Sequence, residues 1–214
     1  MKRKLIAIVL ALGAVFSTVS PAAAYSLQTH GPFADDYAGF HYTVRVCVHS
    51  NTGSSTWNTG TYPFHARLAA AMATWNALGG EAQFIASNTC LSTDTTVTAQ
   101  YGLVSGSGIG SFVTNGTSVC AETWVWCWRT ATLKVDNVET TIYTGTGPQG
   151  SFPGKHDLWS ILTHELGHVV LNHDNDNPTQ QTMSTGLTTN TIWMRTLTTG
   201  GGSDAAGWAD AYNY

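Results

Sequence analysis

Two histidines four residues apart, with a glutamate beside the first, are the side chains best suited to chemistry: His164, Glu165 and His168. On a helix, positions i and i+4 lie on one face, so both imidazoles can bind the same metal ion. Zn²⁺ accepts neutral imidazole nitrogens and tolerates an open position for water. Glu165 would lie about 100° around the helix from His164, close enough to take a proton from that water. The spacing therefore predicts zinc-dependent hydrolysis of peptide bonds.

A catalytic zinc needs a third protein ligand, and the sequence offers two candidates for it. No glutamate follows Glu165, which excludes the enzymes that take this ligand from a downstream glutamate. The nearby candidates are His173 and Asp174. Imidazole is the commoner zinc ligand, which favours His173, but both candidates stay open. Of these two residues, the one that does not bind the metal would support the site by orienting the metal ligands.

A helix must carry these side chains, and the residues before them have the pattern of one. Asp157 is suited to cap its N-terminus. Apolar residues then recur at every third or fourth position, at Leu158, Ile161, Leu162, Leu166 and Val169. This spacing is the stripe of an amphipathic helix. We expect the helix to bury this stripe and to present the histidines on another side.

The other elements are predicted from alternation and from the positions of glycine and proline. Residues 42–48, 82–86, 95–101 and 130–136 have the composition of strands, and residues 63–78 that of a helix with Pro63 in its first turn. The glycine-rich residues 102–116 are predicted as a turn-rich connection or an irregular edge, and residues 140–153 as a loop.

Three tryptophans alternate in an aromatic segment, Trp124, Trp126 and Trp128. They would share one face of a strand, where they could form a carbohydrate-binding platform or pack between strands. Packing is the favoured interpretation.

The first 24 residues have the features of a secretory signal peptide. Lys2, Arg3 and Lys4 precede an apolar stretch, and small residues at 22–24 form a cleavage site. We expect residues 25–214 to form a single secreted, extracellular and monomeric domain, with no membrane attachment after cleavage. The formal net charge is −4, and no basic residues cluster after the signal peptide, which argues against nucleic-acid binding.

The four cysteines all lie in the exported part of the chain: Cys47, Cys90, Cys120 and Cys127. An even number in this compartment predicts two disulfides. Three pairings are open, of which a local Cys120–Cys127 bridge with a Cys47–Cys90 bridge is the attractive one. No C-x-x-C pattern occurs, so cysteine metal ligands are disfavoured.

The histidine motif resembles that of the metzincin zinc proteases, in which a methionine turn follows the metal ligands. Met183 lies in a segment that looks like this turn. The matrixin branch is similar at residues 69–84, where Trp75 and Asn76 lead from a helix to a strand, and at residues 204–212, which look like its terminal helix. The resemblance implies an α+β, metzincin-like zincin domain. Its mixed twisted sheet would lie over the active-site helix, with an N-terminal and a C-terminal helix.

The sequence departs from the family pattern where the active-site helix should end. Leu171 replaces the family glycine, and Asn172 is the next residue suited to a left-handed turn. Counted along the family motif, the position of the third ligand is Asp174. The local sequence also looks like the matrixin ending with one residue deleted, and that alignment makes His173 the ligand. The residues before the first strand contain no cysteine, so latency by a cysteine switch is not available. Calcium is common in the family, and the oxygen-rich residues 174–177 make Ca²⁺ a second cation to test.

Together these features predict a secreted zinc endopeptidase that acts on extracellular protein or peptide substrates. His164, His168 and either His173 or Asp174 would hold zinc, and Glu165 would be the general base. Two alternatives remain. One is a non-catalytic binding protein on the same scaffold, and the other is a zinc hydrolase of small amides or cell-wall peptides.

Overall fold

The computed structural model describes residues 42–79, 82–91, 95–105, 108–119, 126–136, 142–169, 171, 182–184, 188–197 and 204–212. The strands are β1 (Tyr42–Val48), β2 (Ala82–Ala86), β3 (Thr96–Tyr101), β4 (Gly110–Val119), β5 (Trp126–Val135), β6 (Ile142–Tyr143) and β7 (His156–Asp157). The helices are α1 (Pro63–Asn76), α2 (Leu158–Gly167) and α3 (Asp204–Tyr212), with 3₁₀ turns at Ser50–Thr52 and Trp193–Arg195. The predicted signal peptide lies outside the described residues.

A five-stranded sheet with the order β2-β1-β3-β5-β4 is the centre of the fold. Strands β2, β1, β3 and β5 are parallel to one another, whereas β4 pairs antiparallel with β5. Helix α1 lies in the crossover that returns the chain from β1 to β2, as a parallel pair requires. The short strands β6 and β7 form a separate parallel pair that leads into α2.

The core lies between one face of this sheet and the helices. Alternate strand residues such as Val46, Val97 and Leu133 are completely buried against α1 and α2. Trp75 of α1 is also fully buried, and its indole N–H donates a 2.8 Å hydrogen bond to the Thr163 carbonyl in α2. Burial of an aromatic side chain of this size contributes on the order of 3 kcal/mol. The indole therefore joins the two helices through both apolar packing and a specific hydrogen bond.

The predicted α+β, metzincin-like zincin domain is wrong in its class. Among the described strand pairs of the main sheet, three are parallel and one is antiparallel, and helix α1 connects the parallel strands β1 and β2. That arrangement is mixed α/β, with one five-stranded sheet and three helices. The described residues also contain no group of three His, Cys, Asp or Glu side chains that could hold a metal ion. A zincin domain requires such a group.

The local predictions differ from the structure mainly where pairing decides the conformation. The strand prediction over 42–48 and that over 82–86 match β1 and β2, and the helix predicted over 63–78 ends at Asn76. Of the turn-rich connection or irregular edge predicted over 102–116, the part from Gly110 onward belongs to β4, which is at the edge of the described sheet and continues to Val119. Backbone pairing with β5 along the length of β4 extends the strand through residues of low intrinsic β propensity.

One predicted disulfide is confirmed and one lies outside the described residues. Cys47 in β1 is bonded to Cys90 beyond β2, with their Cα atoms 6.1 Å apart. Cys120 is outside the described residues, as is Trp124, so the second bridge and the three-tryptophan face stay predictions. The Cys47–Cys90 bridge is consistent with an extracellular protein. None of the helices in the described segments has the length and apolar composition needed to cross a membrane.

Candidate metal and catalytic site

Helix α2 brings His164 and His168 together at its C-terminal end. Their ring centroids are 4.9 Å apart and the rings are perpendicular, as expected for side chains on successive turns of one helix face. The two side chains are largely buried, with exposed fractions of 8% and 9%. His168 is the last residue in helical conformation, because α2 ends at Gly167 and His168 is its C-cap. The helix is thus just long enough to present both imidazoles.

Each imidazole is oriented by a hydrogen bond between Nδ1 and a backbone carbonyl. His164 Nδ1 lies 2.5 Å from the Thr182 carbonyl oxygen, and His168 Nδ1 lies 2.9 Å from that of Leu171. A carbonyl can only accept, so in the neutral ring the proton is on Nδ1 and the lone pair is on Nε2. Zinc-bound histidines commonly have this arrangement, with the second nitrogen donating to an oxygen. The two rings therefore fit the ligand role in tautomer as well as in spacing.

The backbone turn that orients His164 is itself fixed by Asp204 at the start of α3. The Asp204 carboxylate accepts hydrogen bonds from the backbone N–H of Thr182 at 2.7 Å and of Met183 at 3.3 Å. Asp204 has an exposed fraction of 1%, and charge-assisted hydrogen bonds of this kind are among the stronger ones in proteins. Sequence reasoning did not single out Asp204. Only the folded chain brings α3 beside the turn.

Met183 packs beneath helix α2 at Gly167. Its side chain is completely buried. A β-carbon on Gly167 would overlap the Met183 sulfur and lie 2.7 Å from Trp75 Cζ2, far inside a normal carbon–carbon contact. Glycine at this position thus lets the turn and the α1 indole both approach the backbone of α2. This is where the structure places the methionine that the sequence predicts under the metal site.

Glu165 lies beside the histidines against the backbone of β4. Its side chain is nearly buried, and that burial raises the pKa of its carboxyl to about 8. The carboxyl group packs against Gly110, and Phe112, two residues further along β4, lies 6.4 Å from the His168 ring between centroids. A nearby cation would lower the pKa of Glu165 by favouring the charged form. A carboxyl with a raised pKa can both accept and donate a proton near neutral pH.

The start of α2 is held by a buried ion pair between Asp157 and Arg195. Asp157 caps the helix, as predicted, by accepting from the Ser160 backbone N–H at 2.9 Å. Both of its oxygens also accept from the Arg195 guanidinium, at 2.8 and 2.6 Å. Arg195 donates further to the carbonyls of Thr146 and Gly147 at 3.3 and 3.1 Å. No sequence pattern around Arg195 predicts this role, because its partner Asp157 is 38 residues away and comes close only in the folded chain.

The structure brings some of the predicted site residues together and does not describe the others. His164, Glu165, His168 and Met183 are adjacent, whereas both third-ligand candidates, His173 and Asp174, lie outside the described residues. The expectation of a complete metalloprotease centre is corrected accordingly, because no three-ligand group occurs in the part of the chain that the structure covers. The physical reason is that the short helix presents only two nitrogen ligands. A third must come from beyond its end.

Comparisons with known proteins do not assign this chain to a family. No family model matches it, and no curated protein matches it. Among solved structures, it is similar to a chain of the ECX AB5 holotoxin in its GM1-bound form. The sequences are 12% identical, the TM-score is 0.41, and the match covers 81% of this chain and 77% of the other. A likeness this remote supports no inference about family or function.

Proposed function

We propose that the protein is a secreted zinc-dependent endopeptidase in which Glu165 is the general base. The observation that carries this proposal is the arrangement of three side chains at one end of α2. Two imidazoles lie 4.9 Å apart between centroids, each with Nδ1 on a backbone carbonyl, and Glu165 follows His164 in the same helix with its carboxyl group packed against Gly110 of β4. A structural role would not by itself require two histidines with matched tautomers next to a buried acid.

Zinc is the metal that this donor set fits best, because it binds neutral imidazole nitrogens. His164 and His168 would hold it through Nε2, together with His173 or Asp174. When bound, zinc supplies a Lewis acid that lowers the pKa of water and polarises a carbonyl group. The oxygen-rich residues 174–177 are also the place to test Ca²⁺, the second cation raised by the sequence.

Glu165 would move the proton that hydrolysis requires. In its ionised form the carboxylate accepts a proton from the attacking water, and it then delivers that proton to the leaving amine. The burial that raises its pKa to about 8 makes the carboxylate a stronger base for the first transfer, and a neighbouring positive charge would keep it ionised. The packing of the carboxyl against β4 limits the directions in which it can act.

The proposed substrate is an extracellular protein or peptide in extended conformation. In the described part of the sheet, β4 is an edge strand, and it runs past Glu165 and His168 through Gly110 and Phe112. An extended peptide can add to such an edge through backbone hydrogen bonds. We propose that the substrate lies antiparallel to β4 over α2. The secreted location rests on the predicted signal peptide.

The test compares the wild-type protein with Glu165→Gln, which keeps the size of the side chain but cannot act as a base. Cleavage of casein and of a quenched peptide should fall by about 100-fold or more. Zinc content, measured on the same preparations, should stay near one equivalent. Equal activity of the two proteins, or wild-type activity that resists a chelator, would refute the proposal.

Histidine variants test the metal ligands separately from catalysis. His164→Ala and His168→Ala should lose bound zinc, whereas His49→Ala, at an exposed histidine after β1, should retain it. His173→Ala and Asp174→Ala identify the third ligand by which of them loses the metal. A parallel panel of small amides and cell-wall peptides distinguishes an endopeptidase from a zinc hydrolase of those substrates.

A further inference from the structure

Glu165, the proposed base, packs against β4 at Gly110. A β-carbon built on this glycine would overlap Glu165 Oε1 and would lie 2.8 Å from Cδ and 3.0 Å from Cγ. Carbon atoms in normal contact are about 3.5–4.0 Å apart. The carboxyl group therefore occupies the volume that any other residue at position 110 would fill with its own side chain.

The direction of this contact follows from the geometry of the strand. Alternate residues of β4 face the same side, and Phe112, two positions on, lies near the His168 ring. Position 110 thus faces α2 at the level of Glu165. The backbone of Gly110 is paired with Val135, a fully buried residue of the neighbouring strand, so β4 has little freedom to move away.

The conformational freedom of glycine does not explain its presence here. Glycines with positive φ among the described residues are found at other positions, such as Gly79 and Gly150. Gly110 lies inside a strand, where glycine is normally unfavourable and often marks the close approach of another group. The group that approaches is the carboxyl of Glu165.

We infer that Gly110 is a positioning residue for Glu165: its missing side chain creates the slot that holds the carboxyl beside His164 and His168. This inference rests on the proposed function for its catalytic consequence, but the slot itself is a property of the fold. A side chain at position 110 would push the carboxyl out of the slot. A displacement of about 1 Å in a reacting group lowers a rate by about 100-fold.

The first experiment measures catalysis and metal content in Gly110→Ala. We expect kcat to fall by about 100-fold with little change in KM, while zinc content stays at the wild-type level. Gly102→Ala is the matched control, because a β-carbon there meets only the Lys134 side chain at an ordinary 3.5 Å. Wild-type kcat in Gly110→Ala, or a zinc loss that accounts for the lower activity, would overturn the inference.

The second experiment needs no enzymatic activity and uses the metal-free protein. We expect Gly110→Ala to lower Tm by about 4 °C in the wild-type background, and by much less in a Glu165→Ala background, where the carboxyl is gone. If Gly110→Ala alone fails to fold, recovery of folding in the double variant gives the same answer. An equal Tm loss in both backgrounds would overturn the inference. An inactive wild-type protein that shows the coupling would refute the proposed function and leave the slot established.

Discussion

The Asp157 carboxylate receives two hydrogen bonds from the Arg195 guanidinium while it caps the helix that carries the candidate metal ligands. Both side chains are almost completely buried, with exposed fractions of 0% and 8%. Arg195 also lies 5.2 Å from the centre of the Trp159 ring and bonds the loop at Thr146 and Gly147. One ion pair therefore joins the start of α2, the chain around Trp193–Arg195 and the loop before β7.

Removing one partner of this pair should cost much of the stability of the domain. We expect Arg195→Met to lower the free energy of unfolding by about 3–5 kcal/mol, because it leaves the Asp157 carboxylate buried without its counter-ion. Urea denaturation followed by tryptophan fluorescence measures the loss. Arg67→Met is the matched control, since Arg67 is only partly buried and makes one hydrogen bond, to the Thr144 carbonyl. Equal losses in the two variants would contradict the role of the ion pair.

Asp204 should influence metal affinity without touching the metal. Its two oxygens accept from the Thr182 and Met183 backbone, and the Thr182 carbonyl orients His164. In Asp204→Asn, an amide N–H₂ would face one of these backbone donors. We expect zinc affinity, measured by competition with a chromogenic chelator, to fall by about 10-fold or more. If stability falls but zinc affinity does not, the carboxylate has only a structural role.

The packing of Met183 and Trp75 against Gly167 should not tolerate a methyl group. We expect Gly167→Ala to destabilise the protein by about 1–3 kcal/mol, because the indole and the thioether cannot both retreat. Thermal unfolding by circular dichroism gives the comparison with Gly60→Ala, where an added β-carbon meets only the Asn58 side-chain oxygen at 3.6 Å. The second change Met183→Ala should restore part of the loss. No restoration would show that Trp75 alone determines the cost.

His65 should make the fold sensitive to acid. The ring is fully buried in α1, its Nδ1 accepts from the Asn58 backbone N–H at 3.0 Å, and its Nε2 lies 2.9 Å from the Thr52 hydroxyl. Burial lowers the pKa of His65 below the ordinary value of 6.5. The native state therefore prefers the neutral ring, and the unfolded chain takes up the proton first.

The sign of this effect gives a defined pH window. His65 contributes fully to the free energy of unfolding above about pH 6.5, where its ring is neutral in both the native and the unfolded state. This contribution is lost as the pH falls towards and through the lowered native pKa. Unfolding free energies measured from pH 8 to pH 4 should decline less steeply in His65→Gln than in the wild-type protein. Parallel curves for the two proteins would exclude His65 as a source of the acid sensitivity.

Secondary structure could be predicted from the sequence where it depends on residues that are close together in the chain. The capping role of Asp157, the amphipathic pattern of α2 and the alternation of β1 all depend on residues close in sequence. The strand at β4 was not predictable, because glycines and polar residues there are held by pairing with β5 rather than by their own preferences. The fold class was also missed, since strand order and direction depend on contacts between distant segments.

The sequence by itself determined which atoms could do chemistry. A spacing of four residues between His164 and His168 on a helix is enough to put two imidazoles on one face, with Glu165 beside them. The orientation and enclosure of those groups depend on contacts that form when the chain folds. The tautomers depend on the carbonyls of Thr182 and Leu171, the depth of Glu165 depends on Gly110 in β4, and the turn depends on Asp204 in α3. Each of these partners is distant in the sequence or lies beyond the end of the helix, so the residue pattern of the motif carries no information about them.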